Sequence, residues 1–126
     1  MIKKSEFNQT DGFELSLSTT GKIFVRFNQA TEGDAHRLDS AATYPTDGNT
    51  WVHVAATYDG ATIRIYINGV LDGSKNSQFN IAANSLALGI GAQSDGYRPL
   101  DGALDDVRVY SRALSDVDVD ALYANV

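Results

Sequence analysis

The only glutamates in this chain are Glu6, Glu14 and Glu32. Glycoside hydrolysis needs two carboxyl groups facing each other across a cleft, one as acid and one as nucleophile or base. None of the three falls in an E-x-D-x-E or E-x-x-E pattern, and none is read onto a strand adjacent to another's. Asp105 and Asp106 are neighbours, but successive side chains on a strand point to opposite faces. Ser/His/Asp catalysis has no support, because no nucleophile elbow is present. His36 and His53 could be imagined as a base or a metal pair. However, His53 lies inside a strand pattern and reads as a half-buried structural residue, and His36 reads as a surface residue beside Arg37. The chain is therefore read as non-enzymatic.

Saccharide recognition asks for an aromatic platform with planar polar groups around it. Such residues are concentrated between Ala92 and Gly102, where Gln93, Ser94, Asp95, Tyr97 and Arg98 share one loop. The loop is long for a compact β domain, and such loops are often binding loops. Gln93, Asp95, Tyr97 and Arg98 are therefore ligand-binding candidates, with Tyr44 a further one; Trp51 is read instead as a core residue. Asp105 has the parity of Val107 and Val109, so its carboxylate is expected to point into the core layer. A buried carboxylate needs a cation, an arginine or several N–H donors. Calcium, which takes hard oxygen ligands, is one candidate partner, and a hydrogen-bonded structural role is the other. Asp59 and Asp72 read as turn residues, and Asp116, Asp118 and Asp120 as a solvated helix face.

The elements that position these residues are mostly strands. Trp51–Ser74 reads as two successive hairpins: Val52, Val54, Ala56 and Tyr58 alternate with His53, Ala55 and Thr57, and Ile63, Ile65 and Ile67 with Arg64, Tyr66 and Asn68. Asp59-Gly60 and Asn68-Gly69 supply the tight turns, because these residues tolerate positive φ. Phe13, Leu15 and Leu17 mark a strand over residues 12–18, and Ile23, Val25 and Phe27 another over 22–28. Short strands are expected over 35–40, at Val70-Leu71, over 85–91 and over 103–111. In the stretch 85–91, Ala87, Gly89 and Gly91 share a face to which something must come close. Ser115 is read as the N-cap of a C-terminal helix, with Leu114 and Val119 as a hydrophobic staple. Val119, Leu122, Tyr123 and Val126 form its apolar stripe. Residues 1–11 are polar, with only Ile2 and Phe7 as large apolar side chains after the initiator, and are expected to be an irregular lead-in to a domain spanning 12–126.

The length of 126 residues suits one domain. With no cysteine there is no disulfide framework and no thiolate metal site. A net charge of −6, with six arginines and four lysines scattered along the chain, argues against a nucleic-acid surface. No apolar run approaches a membrane span, so no membrane insertion is expected.

Strand after strand with tight turns and one late helix describes an all-β, antiparallel two-sheet sandwich with a short C-terminal helix. The stretches WVHVAATYDGATIRIYINGVLDGS and LALGIGAQSDGYRPLDGALDDVRVYSRALSDVDVDALYA closely resemble laminin-G-like domains of the concanavalin A-like jelly-roll superfamily. The resemblance covers about residues 12–126. It implies a jelly roll that is usually a non-catalytic module of a larger secreted or cell-surface protein, with carbohydrate or a surface protein as its partner. Asp105 matches the aspartate that contributes to structural calcium in some members. Members normally open with two or three strands before the position of Gly12, one of which pairs with the last strand. Residues 103–111 are therefore expected to lack their usual neighbour, with three outcomes open: residues 1–11 fold over as a substitute strand, the edge is solvated, or another molecule completes it, of which a homodimer through that sheet edge is favoured.

Overall fold

The computed structural model describes all 126 residues. It is the antiparallel two-sheet sandwich that the strand pattern implied. One sheet has five strands: β1 (Ile2–Glu6), β2 (Thr10–Leu17), β3 (Lys22–Phe27), β4 (Arg37–Thr43) and, far along the chain, β8 (Gly89–Ile90). Their order is β4-β3-β2-β1-β8. The second sheet is the meander β5 (Val54–Tyr58), β6 (Thr62–Ile67) and β7 (Val70–Asn76). A single turn of helix, α1 (Gln29–Glu32), follows β3, and α2 (Asp116–Ala124) closes the chain.

Period-two alternation sorts the side chains between the two faces. The registers Phe13↔Phe27 and Leu15↔Val25 put those four residues on the inner face of the first sheet. They meet Ile63 and Ile65 of β6, both fully buried, and Phe13, Leu15, Leu38, Ala56, Tyr58, Ile67 and Phe79 pack around them. Tyr58 stacks on Phe79 with ring centroids 4.2 Å apart. Asp72 is not the expected turn residue. It lies in β7, and its carboxylate accepts the N–H groups of Ala41 (2.6 Å) and Ala42 (3.1 Å) on β4, tying the two sheets together.

The turns follow their residues. Asn68 and Gly69 have φ of 50° and 81°, as a two-residue hairpin with right-handed twist requires. A Cβ on Gly69 would also meet Tyr123 of α2 at 2.9 Å. Asp59 accepts from the N–H groups of Ala61 (2.9 Å) and Thr62 (2.7 Å). Ser115 caps α2 in a reciprocal capping box with Asp118. Of the expected stripe on α2, Val119 alone is fully buried, while Tyr123 and Val126 stay exposed.

Four further expectations are overturned. The polar segment 1–11 is no lead-in: β1 pairs with β2 on one side and β8 on the other. Its inner positions are Ile2 and Lys4, and its outer positions, Lys3 and Ser5, are buried in a polar layer, so no apolar alternation announces it. The strand over 85–91 shrinks to Gly89–Ile90. Trp51 is 66% exposed rather than in the core, because β5 begins only at Val54. Residues 103–111 form no strand: no backbone–backbone hydrogen bond involves residues 101–114, and Asp106 has left-handed φ of 49°. β1 pairs with β2 and β8 and offers this segment no edge, and the free edge of β5, across the cleft from it, is left unpaired.

Ile65 lies at the centre of the inter-sheet core with no exposed surface. Ile65→Ala should therefore lower stability by about 2–5 kcal/mol, the usual cost of deleting such a side chain. Chemical denaturation checks this, and an unchanged midpoint would show the inner and outer faces of β6 to be exchanged.

Candidate functional site

The expected binding loop sits at the free side of β8 and folds back over the sheet. Gly89 makes this possible, since a Cβ there would lie 2.2 Å from the Ala92 carbonyl oxygen. This is the close approach that the small residues of 85–91 implied. The loop is closed at its base by Leu100 N–H donating to the Gly91 carbonyl (2.7 Å), and Gly91 N–H donates to the Met1 carbonyl (2.6 Å). Inside it, Gln93 N–H donates to the Tyr97 carbonyl (2.9 Å) and Gly96 N–H to the Gln93 carbonyl (2.8 Å).

Four of the five ligand-binding candidates come together here, in different roles. Gln93 is buried: its Oε1 accepts from Phe7 N–H (3.3 Å) and its Nε2 donates to Asp95 Oδ2 (3.1 Å). It positions the loop and offers no surface to a ligand. Asp95 is exposed, but its other oxygen accepts Tyr97 N–H (2.9 Å), so its carboxylate is turned to the loop's own donors. Tyr97 presents a ring that is 56% exposed. Arg98, with φ of 53°, lays its guanidinium 4.2 Å from the centre of the Phe7 ring and 5.4 Å from that of Tyr97. Tyr44 belongs elsewhere. It follows β4, the opposite edge of the same sheet, and its hydroxyl donates to the Ser18 carbonyl (3.0 Å). Three strands separate it from the loop.

Beneath the loop lies a feature that the sequence reading missed. The registers Lys3↔Glu14, Glu14↔Arg26 and Arg26↔Arg37 run a row of charged residues across the outer face. Glu14 and Arg26 are 4% and 5% exposed, and Glu14 Oε1 accepts from Arg26 Nε (2.8 Å) and Nη2 (2.5 Å). Lys3 Nζ lies 3.3 Å from Glu14 Oε2. Arg26 also reaches Asp34 at 2.8 Å and holds its carboxyl below the usual carboxylate range. The Arg26 guanidinium sits 5.6 Å from the Phe7 ring centre, so Phe7 is flanked by two guanidinium groups, those of Arg26 and Arg98. The signal was available in the alternation of Glu14 and Ser16 with Phe13 and Leu15, and of Arg26 with Val25 and Phe27. Glu6 and Glu14 do lie on adjacent strands, contrary to expectation, but Glu6 is opposite Thr10 and Glu14 opposite Lys3.

Asp105 is exposed, not buried, because the segment that carries it is not built into a sheet. Its Oδ1 accepts the N–H of Asp106 (2.8 Å). No group of three or more His, Asp or Glu side chains gathers anywhere in the chain. Asp105 and its neighbour Asp106 are both exposed, and a calcium ion there would need backbone carbonyl oxygens to complete its shell. His36 is no simple surface residue: it stacks on Phe79 at 4.0 Å and reaches Ser77 Oγ (2.7 Å) and Glu32 (2.9 Å). His53 is half-buried as expected, one residue before β5, and burial together with the Arg108 charge lowers its pKa. It borders an apolar cleft of about 940 Å³ between β5, the inner face of the first sheet and residues 104–114.

The chain belongs to the concanavalin A-like lectin/glucanases superfamily, whose laminin G family model matches residues 2–120. Among solved structures it is similar to a fragment of an S-layer domain-containing protein from Clostridium thermocellum ATCC 27405, at 23% identity and a TM-score of 0.47. The alignment covers 91% of this chain and 64% of that one, so the chain spans less than two thirds of that fragment's length. No curated protein matches it. No helix is long and apolar enough to cross a membrane.

If Gln93 pins the loop, Gln93→Ala should free both Phe7 N–H and the Asp95 carboxylate. Hydrogen exchange at Phe7, Gly96 and Tyr97 should then accelerate by about tenfold or more while Val25 in the core keeps its rate. Equal acceleration at all four positions would show a global role instead.

Proposed function

We propose that this concanavalin A-like domain is a non-catalytic, extracellular or cell-surface module that binds carbohydrate and serves a larger secreted or surface protein. One observation carries the reading: the exposed Tyr97 ring stands beside the Arg98 guanidinium on a loop anchored by its own hydrogen bonds. A sugar stacks its apolar face on such a ring while planar donors beside it engage hydroxyl or acidic oxygens. The non-catalytic assignment rests on Glu14. It is held by Arg26 and Lys3 and faces no second carboxylate across a cleft, as glycoside hydrolysis would need. The extracellular assignment rests on the likeness to laminin-G-like modules of secreted proteins. A glycan array on the isolated chain tests the reading. Binding should be found, and Tyr97→Ala should weaken it by about tenfold or more, the worth of an aromatic platform. An array that stays blank removes the reading.

A second reading, a protein–protein module, is favoured by the unpaired segment 103–111 beside the open cleft. The occupant that fits is a second copy of this chain. An antiparallel pairing about Val107 sets Asp106 opposite the partner's Arg108 on both sides of the dyad, and Leu104 opposite Tyr110. Opposite charges and apolar residues then face each other twice. Within one copy the same two charges already meet across 3.5 Å, with Asp106 in its left-handed turn. Light scattering over a concentration series should show a dimer. Arg108→Asp should dissociate it, and the swapped pair Asp106→Arg with Arg108→Asp should restore it. A monomer at high micromolar concentration overturns this reading.

A further inference from the structure

Five of the six arginines are engaged with carboxylates. Arg26 pairs with Glu14 and Asp34, Arg37 with Asp39, Arg64 with Asp59, Arg108 with Asp106 and Arg112 with Asp118. Arg98 has no carboxylate within ion-pair distance, in a chain whose sixteen acidic residues outnumber its ten basic ones. It is also the arginine of the binding loop. It is exposed, and none of its guanidinium N–H groups donates to the protein. The backbone turns left-handed at this residue, a conformation side-chain-bearing residues mostly avoid and one that clusters at ligand sites. The guanidinium is held by the Phe7 face at 4.2 Å, a contact that fixes its place and uses none of its donors.

We infer that the loop selects saccharides that carry a carboxylate, with Arg98 as the group that receives it; the inference rests on the carbohydrate-binding reading above. A free guanidinium presents a planar fork of donors whose geometric match is a carboxylate bound through both oxygens. Tyr97 at 5.4 Å supplies the face on which the sugar ring of the same residue stacks. The carboxylate that could compete, Asp95, has one oxygen on Tyr97 N–H and the other on Gln93 Nε2. The ligand class is therefore uronate- or sialate-type glycans, bound by a short-range contact that works against the overall charge of −6. That opposing field is screened by salt much more than the contact itself, so raising ionic strength should not abolish binding.

The test uses the whole chain and an array holding oligouronates, sialylated oligosaccharides, their carboxyl-reduced counterparts and neutral glycans, followed by calorimetry on each hit. The carboxylated sugars should bind at least about tenfold more tightly than their reduced forms. Arg98→Gln should erase that difference, Arg98→Lys should restore it only in part, and Tyr97→Ala should weaken both forms alike. A thermal midpoint unchanged in each variant confirms that the fold is intact, as expected for exposed side chains. Equal binding of native and reduced sugars, or an Arg98→Gln variant that keeps the preference, overturns the inference and leaves the carbohydrate-binding reading standing. Binding to no glycan of any kind overturns both.

Discussion

The ion pair between Glu14 and Arg26 is the constraint on which the five-stranded sheet and its loop depend. Both residues are almost fully buried on the face away from the apolar core, so neither charge can turn to water. A buried charge survives only with a partner, and removing one member of such a pair costs about 3–5 kcal/mol because the other is stranded. Glu14 satisfies this with two donors from Arg26 and the ammonium of Lys3, and Arg26 uses its remaining arm on Asp34. The row spans β1, β2 and β3, so a slip of either strand by one residue would put charge into the core and Phe13 or Val25 outside. The charged row and the apolar face thus agree on one register. Arg26 also sits 5.6 Å from the Phe7 ring centre, and the same ring meets the loop's Arg98 guanidinium at 4.2 Å.

The inner side of the same sheet obeys the accounting rule for backbone polar groups, with a different outcome. Each buried N–H or C=O must find a partner, and strands find theirs in the next strand. β1 is paired on both sides. Residues 103–111 pair with neither β1 nor the free edge of β5, and with Val109 58% exposed and Tyr110 45% exposed the segment lies open on the surface instead of being buried unpaired. The resulting cleft along β5 is apolar because the inner-face residues Phe13, Leu15, Val25 and Phe27 border it. The sandwich thus carries a polar loop at the edge of its five-stranded sheet and an open apolar cleft along β5.

How legible each part was depends on how many levels of structure agreed. The Asn68-Gly69 hairpin and the Ser115 cap were readable because turn chemistry, periodicity and capping all pointed the same way, and both stand as expected. The inner face of β2, β3 and β6 was readable because one face is apolar and the other is not. β1 was not, since Lys3 and Ser5 are buried by an ion pair and a polar layer, and hydrophobic periodicity cannot register polar burial. The segment 103–111 alternates well but has no partner, and alternation reports a capacity to pair rather than the pairing. Within the site, grouping Gln93, Asp95, Tyr97 and Arg98 needed only their shared loop. Excluding Tyr44 needed the strand order, which places β4 and β8 at opposite edges.

The division of labour inside the loop follows from the acidity of the chain. With acidic groups in surplus, an arginine at the surface is normally claimed by the nearest carboxylate, as Arg64 is by Asp59 and Arg112 by Asp118. Asp95, three residues from Arg98, would be the natural claimant. It is withdrawn because Gln93 Nε2 and Tyr97 N–H take its two oxygens, and because the left-handed turn at Arg98 sends the guanidinium to Phe7 instead. Gln93 can do this only because its own Oε1 is anchored to Phe7 N–H just past the end of β1. The freedom of one cation at the surface is thus traced through an amide to the polar strand that carries Lys3, and through Lys3 to Glu14.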